Sequence, residues 1–534
     1  MIDSRPEPSA AAAAWTLPLV LGLGLALRAA MSFPTHDYQG NADEVLNALC
    51  AFRIMRGEHP VFYVAERLGA LQGYVTALLF WLFGASRNAM AAEPVLSGAL
   101  MLGAWYLFLR EALGRRLALI ALPFAAFPSP AFLHWTAMPN SYPSTLFLDA
   151  ASLWLAARLA RGDRSRWTVT GFGLFAGLAW WASPLSLGCT LPALLWVAWR
   201  RRDLRQWRAA GRFAAGCVLG ALPWLVYNVR HPLASLRQTP LLGPVSRWEG
   251  LLDNARFLAT VTLRELIASV SYESHPRAVT HALQKPVLVI VGLAALASLV
   301  IFPLRRFLRR RQGAEPRTAD PAASAVPLLS LTVIVVVLLN IVSAAGSDRG
   351  LPVRYLLPLY LVIPAVIAIA LGVLASRSRA AAAACAATIV VFNLAGACLP
   401  GTAARHDLEA DARQDDQLLD FLRSQRVGAL AGSYWKVYPI GFLSRERILA
   451  IPMEEGHDHY RMADRLPASP LRWALVAQKA EDLRAWASHA GLSGAVQRVT
   501  PAAAVFLPHP NPPGCAPAAF QLRLKAAYSQ APAP

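Results

Sequence analysis

Long apolar segments recur along most of this 534-residue chain, and they constrain its fold more than any other feature. Runs of about 17 to 22 apolar residues are long enough to cross the hydrocarbon core of a bilayer as helices. The charged fraction is only 16%, whereas a soluble chain of this size carries roughly 25%. The chain is therefore expected to be mainly α-helical and to cross a membrane many times.

The formal net charge of +19 is concentrated in short connectors between the apolar runs. The arginine-rich stretches "RLARGDRSR", "RRRDLRQWR" and "RRFLRRRQ" begin at residues 158, 200 and 305. Cytoplasmic loops carry this basic excess, so these connectors indicate the inner side of the membrane. No basic stripe interleaved with stacking aromatic residues occurs in the sequence, which argues against a nucleic-acid partner.

Placing every arginine cluster inside predicts about eleven transmembrane helices, with the carboxyl end outside. The apolar segment 69–84 is short for a span and is expected to lie at the outer interface. The predicted spans lie near residues 15–32, 89–109, 117–133, 144–158, 168–182, 185–199, 211–227, 286–303, 326–345, 355–374 and 380–399.

This topology predicts three parts of the chain. Residues 1–14 are a cytoplasmic tail, and residues 15–399 are a membrane module with long outer loops at 33–88 and 228–285. Residues 400–534 alternate short β-type runs such as "RILAIP" and "RWALVAQ" with helical stretches, one of which, "EDLRAWASHAGL", ends near Gly491. They predict a small extracytoplasmic α/β domain with a frayed tail.

The first outer loop is unusually polar for this chain. A helix is predicted to begin at Asp43 and Glu44 and to stop at Gly57. Acidic residues favour a first helical turn through the helix dipole, so a solvated helix start accounts for them on composition alone. The opposite face of this helix is apolar, which predicts that it lies on the membrane surface. That face consists of Val45, Leu46, Leu49, Phe52 and Ile54.

The loop order resembles a known family. An acidic pair, an amphipathic helix, "GEHPVFY" and the apolar "GALQGYVTALLFWLFG" follow one another as in the GT-C membrane glycosyltransferases. The closer similarity is to bacterial relatives of the dolichyl-phosphate-mannose–protein mannosyltransferases. "VRYLLPLYLVIPAVIAIAL" (353–371) resembles a late span of that family, and "SYWKVYPIGFLSRERILAIP" (433–452) resembles a tail segment of its bacterial members.

The resemblance implies sugar transfer from a polyprenyl-phosphate donor to a hydroxyl on a lipid, glycan or protein acceptor. In that family the acidic residue of the first outer loop is a catalytic base or an acceptor-binding carboxylate; Asp43 matches it, with Glu44 beside it. A carboxylate within hydrogen-bond reach can accept the proton of the acceptor hydroxyl. Arg354, followed by Tyr355, is the candidate partner of the donor phosphate. The alternative for Arg354 is an arginine that snorkels to anchor its span.

Other polar residues are candidates for lining the substrate site. His36, Asp37, His59 and Glu66 lie in the same loop, and their spacing matches no standard metal-ligand pattern. His134 is expected either to contact the substrate or, with the neighbouring tryptophan, to anchor the chain at the membrane interface.

No metal and no cofactor are predicted. The second outer turn, "HWTAMPNSYP", lacks the acidic residue that metal-dependent members of the family use as a ligand. Without it, an octahedral oxygen site is disfavoured. The six cysteines are scattered singly; a Cys398–Cys515 bridge is an alternative to free thiols.

Two other classes of function remain open. A transporter or lipid flippase would place charged or broken-helix sites near the midplane and often shows internal repeats. A non-catalytic membrane scaffold would not need Asp43. A related glycan polymerase or ligase is a closer alternative. Outward-facing chemistry in a prokaryote predicts the inner membrane, with the active site and the C-terminal domain on the periplasmic side.

Overall fold

The computed structural model describes residues 10–33, 42–64, 66–201, 207–237, 248–270, 278–301, 303–304, 321–342, 352–397, 402–454 and 472–508. The chain divides into two compact units. The helical unit comprises Met1–Ser32 and Pro94–Gly401, and the mixed unit comprises Phe33–Glu93 and Thr402–Pro534. The first outer loop, which the sequence predicts as part of the membrane module, thus belongs to the same unit as the C-terminal segment.

The described part of the helical unit is built mainly from α-helices. The helices of this unit are α1 (Ala10–Ser32), α4 (Arg87–Leu113), α5 (Arg115–Ala126), α6 (Pro130–Ala137), α7 (Ser141–Ala160), α8 (Arg166–Ala182), α9 (Leu187–Arg200), α10 (Trp207–Gly220), α11 (Leu222–Arg230), α12 (Ala234–Arg237), α13 (Trp248–Phe257), α14 (Leu263–Ala268), α15 (Ala278–Ala295), α16 (Pro321–Val342), α17 (Leu357–Tyr360), α18 (Ile363–Ala375) and α19 (Arg379–Gly396). The helix α4 belongs to the helical unit from Pro94 onward.

Each predicted span coincides with a helix or with a bent pair of helices. Within the described ranges, five helices are long and apolar enough to cross a membrane, and the number is eight when three bent pairs are counted as spans. The helices α7, α8 and α9 occupy the remaining predicted spans. The prediction of a mainly α-helical, multi-pass membrane protein with a small C-terminal sheet is confirmed. The number eleven stays a prediction.

The break between α5 and α6 shows how the unit tolerates irregular backbone. The two helices meet at 70°. The Asn393 side chain donates to the Phe127 carbonyl at 2.8 Å, and the Ser129 N–H donates to the Tyr360 hydroxyl at 2.7 Å. The buried Arg28 of α1 donates to a carbonyl in the last turn of α5 at 3.1 Å. Backbone groups freed inside a membrane need such partners, because lipid offers none.

A seam of glycines joins α8 to α10. Gly173 and Gly177 of α8 face Gly216 and Gly220 of α10, each pair four residues apart. A Cβ atom added at any of the four would lie between 2.1 and 2.3 Å from a carbonyl oxygen of the other helix. The two backbones are therefore in direct contact, as in small-xxx-small pairs of membrane helices.

The connector between α7 and α8 carries a well-hydrogen-bonded carboxylate, Asp163. It accepts from the Ser165 N–H at 2.8 Å and from the Thr168 hydroxyl at 2.9 Å, and it pairs with Arg158 at 2.7 Å. Burial acts to raise the pKa of Asp163, but these three donors together hold the pKa below its ordinary value.

Within the described residues, the mixed unit contains five helices besides the first residues of α4, together with seven short strands. A small antiparallel pair, β1 and β2, precedes α3. The elements are α2 (Ala42–Met55), β1 (Phe62–Val64), β2 (Leu68–Gly69), α3 (Leu71–Phe83), α20 (Thr402–Ser424), β3 (Ala429–Gly432), α21 (Tyr434–Leu443), β4 (Leu449–Pro452), β5 (Trp473–Ala477), α22 (Ala480–His489), β6 (Gly494–Thr500) and β7 (Ala503–Pro508).

The larger sheet has the strand order β4-β3-β5-β7-β6. Strand β3 pairs in parallel with β4 and with β5, whereas β7 pairs antiparallel with β5 and β6. Alternate strand residues face opposite sides: Leu430 packs with α21, and Ala431 packs with α22. The predicted helix ending near Gly491 is α22, and Gly491 has a φ of +65°. The helix α21 is not evident in the sequence, where its first residues resemble part of a strand.

The apolar face of α2 is covered by the unit's own core, and the prediction that it rests on the membrane surface is wrong. Val45, Leu46 and Leu49 are at most 1% exposed. Phe52 stacks on Phe442 of α21, with ring centroids 5.9 Å apart. Packing against the C-terminal segment removes this apolar face from both water and lipid. The covering surface lies about 400 residues further along the chain, so the local sequence of α2 gives no sign of it.

Helix α3 keeps the exposed apolar surface that α2 lacks. Trp81 is 73% exposed and Phe83 is 70% exposed at its C-terminal end. The helix has 13 residues, too few to cross a bilayer. This agrees with the predicted position at the membrane interface. Its other side packs closely on α2, where the Asn47 amide donates to the Thr76 hydroxyl at 2.8 Å.

Candidate functional site

The carboxylate predicted to be catalytic, Asp43, lies in the first turn of α2. The helix begins at Ala42 and ends at Met55, and Gly57 follows with a φ of +86°, as its predicted role as a stop requires. Asp43 is exposed, although its helix neighbours are buried. An anionic side chain here is favoured by the helix dipole, and its exposure leaves it accessible to a substrate.

Asp43 is held by a tyrosine from the C-terminal segment. The Tyr434 hydroxyl donates a hydrogen bond to Asp43 Oδ1 at 2.5 Å. Tyr434 is the first residue of α21, and its own N–H donates to Glu454 Oε2 at 2.7 Å. Burial raises the pKa of Tyr434, and the neighbouring Asp43 carboxylate raises that pKa further by its charge and hydrogen bond. Tyr434 is therefore a protonated donor at any physiological pH.

Glu44 does not share the surroundings of Asp43. Glu44 is buried, with only 2% of its surface exposed. Neighbouring residues of a helix point about 100° apart, which explains how one acidic residue of the pair is exposed while the other is buried. The predicted catalytic role for Glu44 stays a prediction, and its burial makes Asp43 the accessible carboxylate of the two.

The remaining loop candidates are dispersed. His59 is exposed just after Glu58, which pairs with Arg53 at 2.7 Å. Glu66 lies between β1 and β2 and has a φ of +56°, a left-handed conformation that is uncommon for a residue other than glycine. Among the described contacts, no hydrogen bond or ion pair joins either residue to Asp43.

Some predictions fall outside the described ranges. These are the substrate-lining roles of His36 and Asp37 and the Cys398–Cys515 bridge. In the part of the chain that the structure describes, no group of three or more histidine, cysteine, aspartate or glutamate residues is arranged to hold a metal ion. Metal independence remains a prediction.

A second group of candidates lies in the helical unit, around Arg354. The Arg354 guanidinium lies 5.4 Å from the ring centroid of Trp135 and 5.5 Å from that of Tyr355. Arg354 and Tyr355 belong to a single 3₁₀ turn, Val353–Leu356, that precedes α17. Two aromatic rings on one guanidinium restrict its motion while leaving it charged. The arrangement suits the binding of a phosphate.

His134 belongs to the same aromatic group through its neighbour. Its imidazole meets the Trp135 ring edge-on, with centroids 5.4 Å apart. Tyr142 of α7 also meets Trp135 edge-on, with ring centroids 5.8 Å apart. The structure thus places His134 and Arg354 against one indole, with Tyr355 on the same guanidinium, whereas Asp43 and Glu44 belong to the mixed unit.

Comparison with known proteins establishes the fold. No protein-family model matches the sequence, and no curated protein matches it. The crystal structure of ArnT from Cupriavidus metallidurans bound to undecaprenyl phosphate superposes with a TM-score of 0.58 at 13% identity, covering 93% of this chain and 98% of that one. The chain has the GT-C fold.

Further solved structures give weaker superpositions. Apo ArnT from the same organism matches with a TM-score of 0.48 at 15% identity, over 93% of this chain and 98% of that one. The Archaeoglobus fulgidus oligosaccharyltransferase with Zn and sulfate matches with a TM-score of 0.46 at 14% identity, over 87% and 69%. The superposition on ArnT bound to undecaprenyl phosphate, with its TM-score of 0.58, confirms at the level of the fold the GT-C resemblance inferred from the sequence.

Two residues of the candidate site could not be singled out from the sequence. Tyr434 is 391 positions from Asp43, so no local pattern connects them. The sequence marks Tyr434 only as a member of the segment "SYWKVYPIGFLSRERILAIP", which resembles a tail segment of the family's bacterial members. Trp135 is notable in the sequence only as the neighbour of His134 in "HWTAMPNSYP". Its contact with a predicted phosphate-binding arginine becomes a usable signal only with the fold in hand.

Proposed function

We propose that this protein is an inner-membrane glycosyltransferase that moves a sugar from a polyprenyl-phosphate carrier to a hydroxyl acceptor on the periplasmic face. The observation that carries the proposal is the GT-C fold over nearly the full chain, matched to ArnT whose structure holds undecaprenyl phosphate. The acceptor hydroxyl belongs to a lipid, a glycan or a protein. The sugar is a hexose or a pentose.

Asp43 is the proposed base. It is the exposed member of the acidic pair, and it accepts a hydrogen bond from the hydroxyl of Tyr434. The acceptor O–H gives its proton to the carboxylate while its oxygen bonds to the anomeric carbon of the sugar. The bond from that carbon to the carrier phosphate breaks, and its electron pair leaves with the polyprenyl phosphate. Base assistance of this kind contributes about 10²- to 10⁴-fold in rate.

Arg354 is the proposed phosphate ligand, on the strength of its own surroundings. The aromatic rings of Trp135 and Tyr355 orient the guanidinium. A guanidinium forms two parallel hydrogen bonds to a phosphate, which are stronger than neutral ones. The same contact would stabilise the charge that develops on the leaving phosphate. Tyr355 and His134 are proposed to border the same phosphate.

The test compares Asp43→Asn with wild type. Both proteins are incubated in membranes of the source organism, which contain the natural acceptors, with a panel of polyprenyl-phosphate sugars. Release of free polyprenyl phosphate is followed by mass spectrometry, with and without EDTA. The matched control is Glu481→Gln, which neutralises another exposed carboxylate in the first turn of a helix of the same unit.

We expect at least about 100-fold slower turnover for Asp43→Asn, with an unchanged melting temperature, and wild-type turnover for Glu481→Gln. EDTA should leave the wild-type rate intact, because the second outer turn lacks an acidic metal ligand. Equal turnover in Asp43→Asn and wild type would remove Asp43 from the reaction. Failure to consume any polyprenyl-phosphate sugar would contradict the donor class and favour a transporter or a scaffold.

A further inference from the structure

Tyr434 occupies a position where α/β domains present functional groups. It follows the carboxyl end of β3, which lies between its parallel neighbours β4 and β5. After β3 the chain forms α21 and then β4, which lies on one side of β3 in the sheet. The next strand, β5, lies on the opposite side of β3. In open α/β sheets the crevice outside the carboxyl ends of the strands, at such a reversal of strand order, is where ligands bind.

Tyr434 is rigidly held there. Its side chain is 2% exposed. Its ring meets those of Trp435 and Tyr438 edge-on, with centroids 5.0 and 5.2 Å away. Its N–H is bonded to Glu454, which follows β4 at the same edge of the sheet. A hydroxyl fixed by backbone and ring contacts is a preorganised donor that loses little entropy when it makes a hydrogen bond.

The hydroxyl meets only one of the two oxygens of Asp43. Oδ1 accepts from Tyr434, and Oδ2 accepts no hydrogen bond from any residue that the structure describes. A carboxylate in the exposed first turn of a helix otherwise samples several staggered rotamers. The bond to Tyr434 selects the one in which Oδ1 is occupied and Oδ2 remains open.

We propose that Tyr434 is a positioning residue for the sugar-transfer reaction: it fixes the Asp43 carboxylate so that Oδ2 alone faces the acceptor hydroxyl. This inference rests on the proposed function of Asp43. It gives the C-terminal α/β segment a part in positioning the base, since the residue that orients the first-loop carboxylate comes from the start of α21.

The test is Tyr434→Phe, which keeps the buried ring and removes the hydroxyl. Because a hydrogen bond to a charged group is stronger than one between neutral groups, we expect its loss to lower kcat by about 10- to 100-fold. The KM for the lipid-linked donor should stay within about twofold of the wild-type value. The matched control is Tyr74→Phe in the same unit, which removes a hydroxyl that donates to the Pro60 carbonyl at 3.2 Å. It should keep the wild-type kcat.

The double variant separates positioning from a structural effect. In the Asp43→Asn background, Tyr434→Phe should add no further loss of kcat, because the group that it orients is already gone. An additional loss equal to that in wild type would overturn the proposal, as would an effect confined to KM or an unchanged kcat. Should Tyr434→Phe fail to fold, Asp43→Glu serves instead: it keeps the charge but moves the oxygens, and a wild-type kcat for it would overturn the proposal.

The outcomes distinguish this inference from the proposed function. If Asp43→Asn turns over like wild type, the proposed function of Asp43 fails, and the role of Tyr434 fails with it. If Asp43→Asn is inactive and Tyr434→Phe is fully active, only the positioning role is refuted.

Discussion

The seam between α8 and α10 makes a sharp prediction about stability. We expect Gly177→Ala to destabilise the helical unit, because the new methyl group meets backbone. Its Cβ would lie 2.3 Å from the Cys217 carbonyl oxygen and 2.9 Å from the Ala221 nitrogen. Neither atom can move without moving the backbone at the end of α10, since both belong to it.

The size of the effect follows from these distances. Carbon–oxygen contacts between packed helices are about 3.3 to 3.6 Å, so α8 and α10 must separate by about 1 Å at Gly177. Overpacking of this kind costs typically about 1 to 3 kcal/mol, and a contact with rigid backbone lies at the upper end. About 3 kcal/mol corresponds to more than a 100-fold change in the unfolding equilibrium constant. The expected fall in melting temperature is about 5 °C or more.

The assay is the melting temperature of the detergent-solubilised protein, read by fluorescence-detected size-exclusion chromatography. Two glycines supply matched controls on the same helices. A methyl group added at Gly211 of α10 would meet no neighbouring atom within 4 Å, and one added at Gly171 of α8 would make only an ordinary 3.5 Å contact with Leu155. Alanine at Gly211 should leave stability unchanged or raise it by up to about 1 kcal/mol, through helix propensity. If Gly177→Ala has the same melting temperature as the two control variants, the close approach of the α8 and α10 backbones is refuted.

Three further predictions follow from single sites. Arg354→Lys should lower kcat/KM by about 10-fold, since an ammonium keeps the charge but loses the planar stacking and the paired hydrogen bonds; a wild-type kcat/KM with a polyprenyl-phosphate sugar would contradict the proposed phosphate contact. Burial acts to raise the pKa of Asp163, but the three donors described above hold its pKa in the folded protein below the unfolded value. The Asp163 carboxylate therefore stabilises the fold above about pH 3.9, and this stabilisation is lost as pH falls through the folded pKa. The drop in melting temperature between pH 6 and pH 3 should therefore be smaller for Asp163→Asn, and an identical drop would refute the assignment. Burial raises the pKa of Cys50 to about 12, with Glu58 raising it and Arg53 lowering it, so maleimide at pH 8 should label Cys50 only after unfolding in SDS, which peptide mass spectrometry reports.

Much of the candidate site was readable in the sequence because its signals are local. Helix α2 was predicted from its acidic start and from Gly57 at its end, and both features are present. The choice of Asp43 rested on a family resemblance, and the structure adds that it is the exposed member of the acidic pair. The role of the Arg354 turn was likewise inferred from a short motif.

The partners of these residues could not be read in the same way. The apolar face of α2 signals only that it must be buried, and lipid and protein satisfy that requirement equally well. Chain far along the sequence, in α21, supplied the cover. The bond from Tyr434 to Asp43 likewise joins residues 391 positions apart.

The sequence by itself determined that the chain crosses a membrane repeatedly and where its long apolar helices lie, and it predicts that the basic connectors face the inner side. Those properties depend on hydrophobicity and charge summed over neighbouring residues, and the bilayer acts on each segment independently. The tertiary structure alone decided that α5 and α6 break at 70°, that α8 and α10 meet through glycines, and that the first loop shares a core with the C-terminal sheet. Each of these depends on a specific pair of distant surfaces, and such a pairing is selected by the packing of the whole chain.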